Sequence, residues 1–306
     1  MDFTRKEFLS LSSAAGASLL LGGIAHAAPT PIAQRIIPKS GKMLPVIGLG
    51  TARTFDVEGT PEELAPRKEV LRQLFAGGGS VIDSSPSYGE AERIIGTLLA
   101  SLNARDKAFI ATKISTRGDR HEGIQSMQES GAQLKTNHFE LMQVHNLKNL
   151  KTHLQSIREW RDAGKINYVG ITHFKPGAYE RVEEILKTEP LDFVQLKYSL
   201  STREAEERLL PLARDKGVAV LINRPYDLGR LFRAVKGKSL PSWGSDFGAK
   251  SWGQFFLKFI LGHEAVTCVI PGTRKPKHMI DNLGAGRGPL PNVQQRKKMV
   301  QFISEL

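Results

Sequence analysis

The sequence predicts a (β/α)8 barrel, and two observations lead to this prediction. Eight short apolar runs rich in valine and isoleucine alternate with stretches of helical spacing, and such continuous runs are typical of parallel strands buried on both faces. The chain has 306 residues with no break in composition after the first 34, which suits one barrel of about 250 residues. The predicted strands cover residues 46–50, 80–83, 108–113, 141–145, 168–172, 193–196, 218–222 and 266–270.

A β-hairpin and six helices complete the predicted order of elements. The segments 35–38 and 43–45 flank Ser40-Gly41, which indicates a hairpin before the first barrel strand. Apolar residues at helical spacing predict helices over 69–75, 91–102, 154–163, 177–186, 204–213 and 252–261. Glycines that follow three of these stretches, Gly77, Gly164 and Gly217, are typical of helix ends.

Residues 1–27 have the composition of an export signal. Arg5 and Lys6 form a basic start, residues 11–25 are apolar or small, and Ala25-His26-Ala27 is a typical cleavage site. Residues 4–9 resemble the twin-arginine export box, with Lys6 in place of the second arginine. We therefore expect a signal peptide over 1–27, a linker over 28–34 and a barrel domain over 35–306. An uncleaved N-terminal anchor and a chain that is not exported remain the alternatives.

Composition and charge exclude several classes of protein. Hydrophobic residues make up 40% and charged residues 24%, which is ordinary for a globular protein and unlike a disordered or fibrous chain. The single cysteine, Cys268, excludes an internal disulfide, and the eight histidines show no metal-ligand grouping. The net charge of +12 favours anionic partners, but no nucleic-acid-binding motif accompanies it, so we expect no nucleic-acid partner and no metal.

Polar residues follow three successive predicted strands, at the ends where a barrel carries its chemistry. Asp83 and Tyr88 follow the second strand, Lys113 ends the third and His145 ends the fourth. A free phenol has a pKa of about 10, so Tyr88 needs help to exchange protons at neutral pH. A lysine ammonium beside it would lower that pKa, an aspartate would hold the lysine charged, and a histidine would orient a substrate oxygen. The set suits proton transfer to a carbonyl oxygen.

These residues resemble the signature of the aldo-keto reductases. The resemblance is carried by Asp83-x4-Tyr88-Gly89-x2-Glu92, Thr112-Lys113 and Val144-His145, and it extends over nearly all of the chain after residue 35. It implies a TIM-type barrel, an NADP(H) cofactor and the reversible reduction of aldehydes or ketones to alcohols. It further implies that Tyr88 is the general acid, that Lys113 and Asp83 tune it, and that His145 orients the carbonyl group.

The resemblance also implies a nicotinamide site, in which this sequence departs from the family. Family members usually hold the carboxamide with a Ser-Asn pair and a glutamine, and here Thr172-His173 and Gln195 take those places. Asn223 replaces the usual stacking aromatic residue, with Tyr226 as a candidate substitute. Arg224 is a candidate ligand of the pyrophosphate, because a guanidinium fork suits phosphate oxygens.

The last predicted strand leads into a basic turn at the start of a helix, where a phosphate group is readily bound. The resemblance of this turn to the family's adenosine-phosphate site favours NADP over NAD, with Asn282 against the adenine. The implied cofactor-binding residues are Gly50, Thr51, Thr172, His173, Gln195, Arg224, Thr273, Arg274, Lys277, His278 and Asn282.

We expect an exported, monomeric NADPH-dependent reductase of a small aldehyde or ketone. NADPH is scarce outside the cytoplasm, but the twin-arginine translocase carries folded proteins, so the enzyme would reach the periplasm with its cofactor bound. Without a working signal it would stay in the cytoplasm, and after cleavage it would not be inserted in the membrane. The departures at His173 and Asn223 leave a non-catalytic nucleotide sensor or carrier as an alternative, and the basic surface leaves a scaffold protein as another.

Overall fold

In the computed structural model, which describes residues 30–306, eight parallel strands form one sheet with neighbours in chain order. Isolated bridges from Ile47 to Val269 and from Gly50 to Gly272 join the first and last strands, so the sheet closes into the predicted (β/α)8 barrel. The predicted signal peptide and residues 28 and 29 of the linker lie outside the described residues. The barrel strands are β3 (Leu49–Gly50), β4 (Val81–Asp83), β5 (Phe109–Ile114), β6 (Phe139–His145), β7 (Ile166–His173), β8 (Phe193–Lys197), β9 (Ala219–Asn223) and β10 (Cys268–Val269).

The predicted hairpin covers the amino end of the barrel. Its strands β1 (Gln34–Ile36) and β2 (Met43–Pro45) pair antiparallel around a turn in which Gly41 has a φ of +74°, a conformation that favours glycine. Ile37 and Leu44 belong to the same buried cluster as Val81 and Phe193, which begin their strands. The hairpin therefore fills the amino end and leaves the carboxyl end of the barrel open for a site.

Ten helices with α-helical geometry lie among the described residues, most of them between consecutive barrel strands. Their apolar faces pack on the outside of the sheet and form a second, larger buried cluster. The helices are α1 (Pro61–Ala76), α2 (Ala91–Leu102), α3 (Arg120–Leu134), α4 (Leu150–Asp162), α5 (Tyr179–Thr188), α6 (Leu209–Asp215), α7 (Arg230–Ala234), α8 (Trp252–Leu261), α9 (Pro276–Ala285) and α10 (Val293–Ser304).

Helices α3, α7 and α10 were not predicted from the sequence, and α1 begins earlier than predicted. The buried face of α3 carries Gly123, Met127, Ser130 and Leu134, so half of that face is too small or too polar to give an apolar repeat. Helix α1 starts at a capping box formed by Thr60 and the residue three positions on, and its first half is polar and contains two prolines. In α1 and α3 the terminal caps and tertiary packing compensate for a weak amphipathic pattern.

The parallel register places the polar strand ends beside one another. Asp83 pairs with Ala111 two residues before Lys113, and His145 pairs with Thr172. Thr172 in turn pairs with Gln195 on β8. Because alternate residues of a barrel strand point inward, this register brings side chains from β4 to β8 to one layer at the carboxyl end.

Candidate active site

A cavity of about 690 Å³ opens at the carboxyl end of the barrel. The loops after most of the barrel strands contribute to its wall, as expected for a site in this fold. Leu228, Gly229 and Phe232 close one side of the cavity from the segment after β9. Of the predicted catalytic and cofactor-binding residues, those that line the cavity are Gly50, Thr51, Asp83, Tyr88, His145, Thr172, Gln195 and Arg224.

A buried ion pair lies at the base of the cavity. Lys113 Nζ is 2.9 Å from each carboxylate oxygen of Asp83, and the exposed fractions of the two side chains are 0% and 4%. Lys113 also donates to the carbonyl of Ser84, and Gln195 Nε2 donates to Asp83 Oδ1 at 2.7 Å. Burial lowers the pKa of Lys113, but the attraction of Asp83 and Tyr88 outweighs burial, so the net pKa is raised. The lysine is therefore held as an ammonium.

Tyr88 lies directly against this ammonium. Lys113 Nζ is 4.9 Å from the centroid of the Tyr88 ring. Burial raises the pKa of Tyr88, Lys113 lowers it and Asp83 raises it, and the net pKa lies above the usual value. Lys113 does lower the pKa of Tyr88, as predicted. The prediction of a net lowered pKa is nevertheless wrong for the protein without ligand, because burial disfavours the phenolate more than one paired ammonium favours it. The phenol therefore keeps its proton at neutral pH.

His145 meets Tyr88 edge to face, with ring centroids 5.9 Å apart. Its Nδ1 lies 2.6 Å from the hydroxyl of Ser115 and within 3.3 Å of two further serine hydroxyls. Burial, followed by the charges of Lys113 and Lys148, lowers the pKa of His145 to about 3. The ring is therefore a neutral imidazole that faces the cavity.

A polar wall runs from β7 to β9 beside the ion pair. Thr172 Oγ1 and Asn223 Nδ2 both donate to Gln195 Oε1, each at 3.1 Å. Asn223 Oδ1 and Asn146 Oδ1 are buried and have no hydrogen-bond partner within residues 30–306. Both residues line the cavity, so both offer acceptors to a ligand with N–H groups.

Arg224, the candidate ligand of the pyrophosphate, stacks on an aromatic ring in the cavity wall. Its guanidinium carbon lies 3.7 Å from the ring centroid of Phe174, and both residues line the cavity. Phe174 is a site residue that the sequence did not reveal, although it directly follows His173. Tyr226 lines the cavity wall, but its hydroxyl donates to Asn282 Oδ1 at 2.6 Å and its ring packs on Phe232.

The remaining predicted cofactor residues lie outside the cavity wall, although Gly272 beside them belongs to it. His173 Nδ1 accepts from the backbone N–H of Lys175, and the ring stacks on Phe174. Thr273 is buried and its hydroxyl accepts from the N–H of Lys275, the residue before α9. Those on or before α9 are Thr273, Arg274, Lys277, His278 and Asn282, of which Thr273 and Asn282 are buried. They form a basic turn next to the cavity.

Within residues 30–306, no helix is both long enough and apolar enough to cross a bilayer. The same part of the chain contains no group of three histidine, cysteine, aspartate or glutamate side chains suited to a metal ion.

Comparison with known proteins gives one family and several relatives. The model of the Aldo/keto reductase family matches residues 46–297. "Aldo-keto reductase YhdN" of Bacillus subtilis is 29% identical over 192 residues, a match that spans 58% of this chain and 56% of that protein. "Aldo-keto reductase str7" of Strobilurus tenacellus is 26% identical over 294 residues, which cover 83% of this chain and 85% of the relative.

Solved structures have the same fold at low identity. An aldo/keto reductase of Klebsiella pneumoniae in complex with NADP and acetate superposes with a TM-score of 0.74 at 18% identity, covering 88% of this chain and 94% of that one. The holo form of an aldo-keto reductase of Bacillus halodurans gives a TM-score of 0.71 at 19% identity, covering 89% and 96%. At this identity the likeness concerns the fold.

Proposed function

This chain belongs to the aldo/keto reductase family of oxidoreductases, and from that premise we propose that it reduces an aldehyde or ketone to an alcohol with NADPH. The proposal rests above all on one observation. A phenol that keeps its proton, Tyr88, lines the cavity directly against the buried Lys113–Asp83 ion pair. A proton donor beside a fixed positive charge suits a reaction that places negative charge on a carbonyl oxygen.

In this proposal Tyr88 gives its hydroxyl proton to the carbonyl oxygen. The phenolate that remains is stabilised by the ammonium of Lys113, which Asp83 keeps charged and in place. His145 lies beside the phenol and, being neutral, is suited to donate a hydrogen bond to the same oxygen. The negative charge that develops on the carbonyl oxygen would then be stabilised by two hydrogen-bond donors, Tyr88 and His145, and by the buried ammonium of Lys113. All three are in place before the reaction begins.

The residues of the cavity fit a nicotinamide. The unpartnered oxygens of Asn223 and Asn146 are acceptors for the N–H2 of a carboxamide, and Gln195 lies beside Asn223. The K. pneumoniae relative was solved with NADP, which supports the same cofactor class here. When bound, the cofactor supplies the hydride that reduces the carbonyl carbon. We assign its contacts to Gly50, Thr51, Thr172, His173, Gln195 and Arg224 in the cavity region, with the 2′-phosphate at Thr273, Arg274, Lys277 and His278 and the adenine at Asn282.

The N-terminal segment gives the proposal its cellular setting. We propose that residues 1–27 are a twin-arginine-like signal peptide, and that the monomeric enzyme crosses to the periplasm folded and with cofactor bound. Cell fractionation tests this: the periplasmic form should begin at Ala28 and release NADP(H) on denaturation. Protein that stays in the cytoplasm, or that is always free of nucleotide in the periplasm, contradicts it.

Titration of the purified protein with NADPH and NADH, followed by turnover on a panel of aldehydes and ketones, tests the function. We expect saturable quenching of protein fluorescence, tighter binding of NADPH than of NADH, and oxidation of NADPH with at least one carbonyl compound. Tight binding without turnover would instead support a nucleotide sensor or carrier. The residues Asn223 and His173, which depart from the family pattern of the nicotinamide site, favour that alternative. An absence of nucleotide binding would support a scaffold role.

A further inference from the structure

Three serine hydroxyls surround one ring nitrogen of His145. The Oγ atoms of Ser115, Ser85 and Ser87 lie 2.6, 3.2 and 3.3 Å from Nδ1. Ser85 and Ser87 belong to the loop after β4 and Ser115 directly follows β5, so two neighbouring strand ends supply the hydroxyls. We call these three residues the hydroxyl cluster. None of them belongs to the predicted catalytic set.

The members of the hydroxyl cluster are also linked to one another. Ser85 Oγ lies 2.9 Å from both Ser87 Oγ and Ser115 Oγ, and the backbone N–H of Ser87 donates to Ser85 Oγ at 3.2 Å. Each hydroxyl has one proton to donate. Ser115 Oγ also lies 3.4 Å from Ser87 Oγ, but its shortest contact is the one to His145 Nδ1 at 2.6 Å. In the arrangement that uses this short contact, Ser87 donates to Ser85, Ser85 donates to Ser115 and Ser115 donates to His145 Nδ1. Every hydroxyl proton is then used, and Nδ1 is an acceptor.

A neutral imidazole whose Nδ1 is an acceptor carries its proton on Nε2. Among residues 30–306 the hydrogen bonds of the His145 ring are all made by Nδ1, and His145 lines the cavity beside Tyr88. On the basis of the reductase function proposed above, we propose that the hydroxyl cluster fixes His145 as the Nε2–H tautomer, which donates to the substrate carbonyl oxygen. Ser85, Ser87 and Ser115 are positioning residues, since they act through His145.

Burial and the cations around the His145 ring keep it neutral, so the hydroxyl cluster has to select between two neutral tautomers only. Burial and the cations Lys113 and Lys148, with a smaller contribution from His173, oppose protonation of His145, and Tyr88 contacts the ring edge. The imidazolium therefore does not form at working pH, and the choice is between two neutral tautomers. In the opposite tautomer Nδ1–H would donate to Ser115, and Nε2 would present a lone pair that repels a carbonyl oxygen.

The tautomer is measured directly by NMR. The full-length protein is labelled with 15N-histidine, the ring nitrogens of His145 are assigned from their loss in His145→Gln, and their shifts report which nitrogen carries the proton. We expect Nε2–H in the wild type, a mixture of tautomers in Ser115→Ala and recovery in Ser115→Thr. Thr116→Ala is the matched control, because its hydroxyl lies on the same loop but bonds to Glu122; it should keep the wild-type tautomer.

Kinetics give the second readout. Ser115→Ala should lower kcat/KM by about 10–100-fold, the range found on removing a hydrogen-bond partner that orients a metal-ligating histidine, while the Kd of NADPH stays unchanged. The acid limb of its pH profile should move to higher pH, because water at Nδ1 relieves the burial that opposes protonation. Nδ1–H in the wild type overturns the proposal, and so does an unchanged tautomer in both Ser115→Ala and Ser85→Ala.

Once the ring nitrogens of His145 are assigned, the wild-type spectrum shows which tautomer is present, so the proposal can be overturned even where a serine variant fails to fold. The NMR result also separates the tautomer proposal from the proposed reductase function. Failure to turn over any carbonyl compound refutes the reductase function, whereas the tautomer of His145 is decided with or without turnover.

Discussion

Replacing Asp83 with asparagine should destabilise the fold by about 3–5 kcal/mol at neutral pH, the cost of removing one partner of a buried ion pair. The side chain of Lys113 is 0% exposed, and both of its contacts with Asp83 are 2.9 Å long. In the variant the ammonium loses the carboxylate and keeps as acceptors the carbonyl of Ser84 and, at most, the single oxygen of the new amide. The new amide also turns an N–H2 group towards either Lys113 or Gln195, both of which donate to Asp83 in the wild type.

The pH dependence of this loss has a defined sign. In the wild type burial lowers the pKa of Lys113, but the attraction of Asp83 and Tyr88 is the larger effect and the net pKa is raised. The stability that the charged lysine contributes to the fold is therefore lost only as pH rises through that raised pKa. Without Asp83, burial dominates and the folded-state pKa of Lys113 falls below its unfolded value. The unfolded variant then binds more protons, so its stability increases with pH. The difference in free energy of unfolding between the wild type and Asp83→Asn should therefore narrow from about pH 7 towards about pH 10.

Urea unfolding, followed by circular dichroism over that pH range, measures this difference in free energy of unfolding. Asp215→Asn is the matched control, because Asp215 pairs with Arg214 at the surface with 63% of its side chain exposed; it should cost less than about 1 kcal/mol. The double variant Asp83→Asn/Lys113→Met should recover part of the stability, since no unpaired buried charge remains. If Asp83→Asn costs no more than Asp215→Asn at neutral pH, Lys113 is not the buried, paired cation described above.

Three further predictions concern packing, pH and cofactor binding. Gly96→Ala should destabilise the fold at the α2–α3 contact by about 1–3 kcal/mol, because a Cβ there would lie 2.2 Å from the Gln133 carbonyl oxygen. Urea unfolding measures the loss, with Gly177→Ala as the control, since a Cβ at Gly177 would have no atom within 4 Å. Equal losses in the two variants would contradict the prediction. The kcat/KM of reduction should not fall between neutral and mildly alkaline pH, since burial raises the pKa of Tyr88 despite its lysine neighbour; a pH–rate profile that declines near neutrality refutes this. Asn223→Ala removes the unpartnered Oδ1 and should weaken NADPH binding by about tenfold, or ~1.4 kcal/mol; an unchanged Kd in a fluorescence titration would argue against the assignment.

The barrel was predictable because its strands are buried on both faces. Such strands consist of uninterrupted apolar runs, and the alternation of those runs with helical stretches already specifies a parallel sheet. Helix α3 was not predictable in the same way, because its contact with α2 uses small residues, and Gly96 of α2 lies against the backbone of Gln133 and Leu134. Close approach of two backbones leaves no apolar periodicity in the sequence.

The core of the candidate site was predicted because position along a barrel strand determines position in space. Asp83, Tyr88, Lys113 and His145 do meet at one end of the barrel. The direction of the Tyr88 pKa shift was not predictable, because it depends on how deeply the phenol is buried rather than on which residues are near it. Depth of burial is a property of the assembled fold.

Residues on loops were harder to predict than residues on strands. Phe174 and Ser115 each follow a strand end directly, and this position was the only available signal for them. Their contacts with Arg224 and His145 depend on side-chain conformations that spacing does not determine.

The most direct test of proton donation by Tyr88 is the kinetic comparison of Tyr88→Phe with the wild type. The substitution removes only the phenol oxygen and retains the ring that packs against Lys113 and His145. We predict that kcat/KM for carbonyl reduction falls by about 10²–10⁴-fold, while the Kd of NADPH is unchanged. Turnover at the wild-type rate would show that the proton comes from another group and that Tyr88 is not the donor.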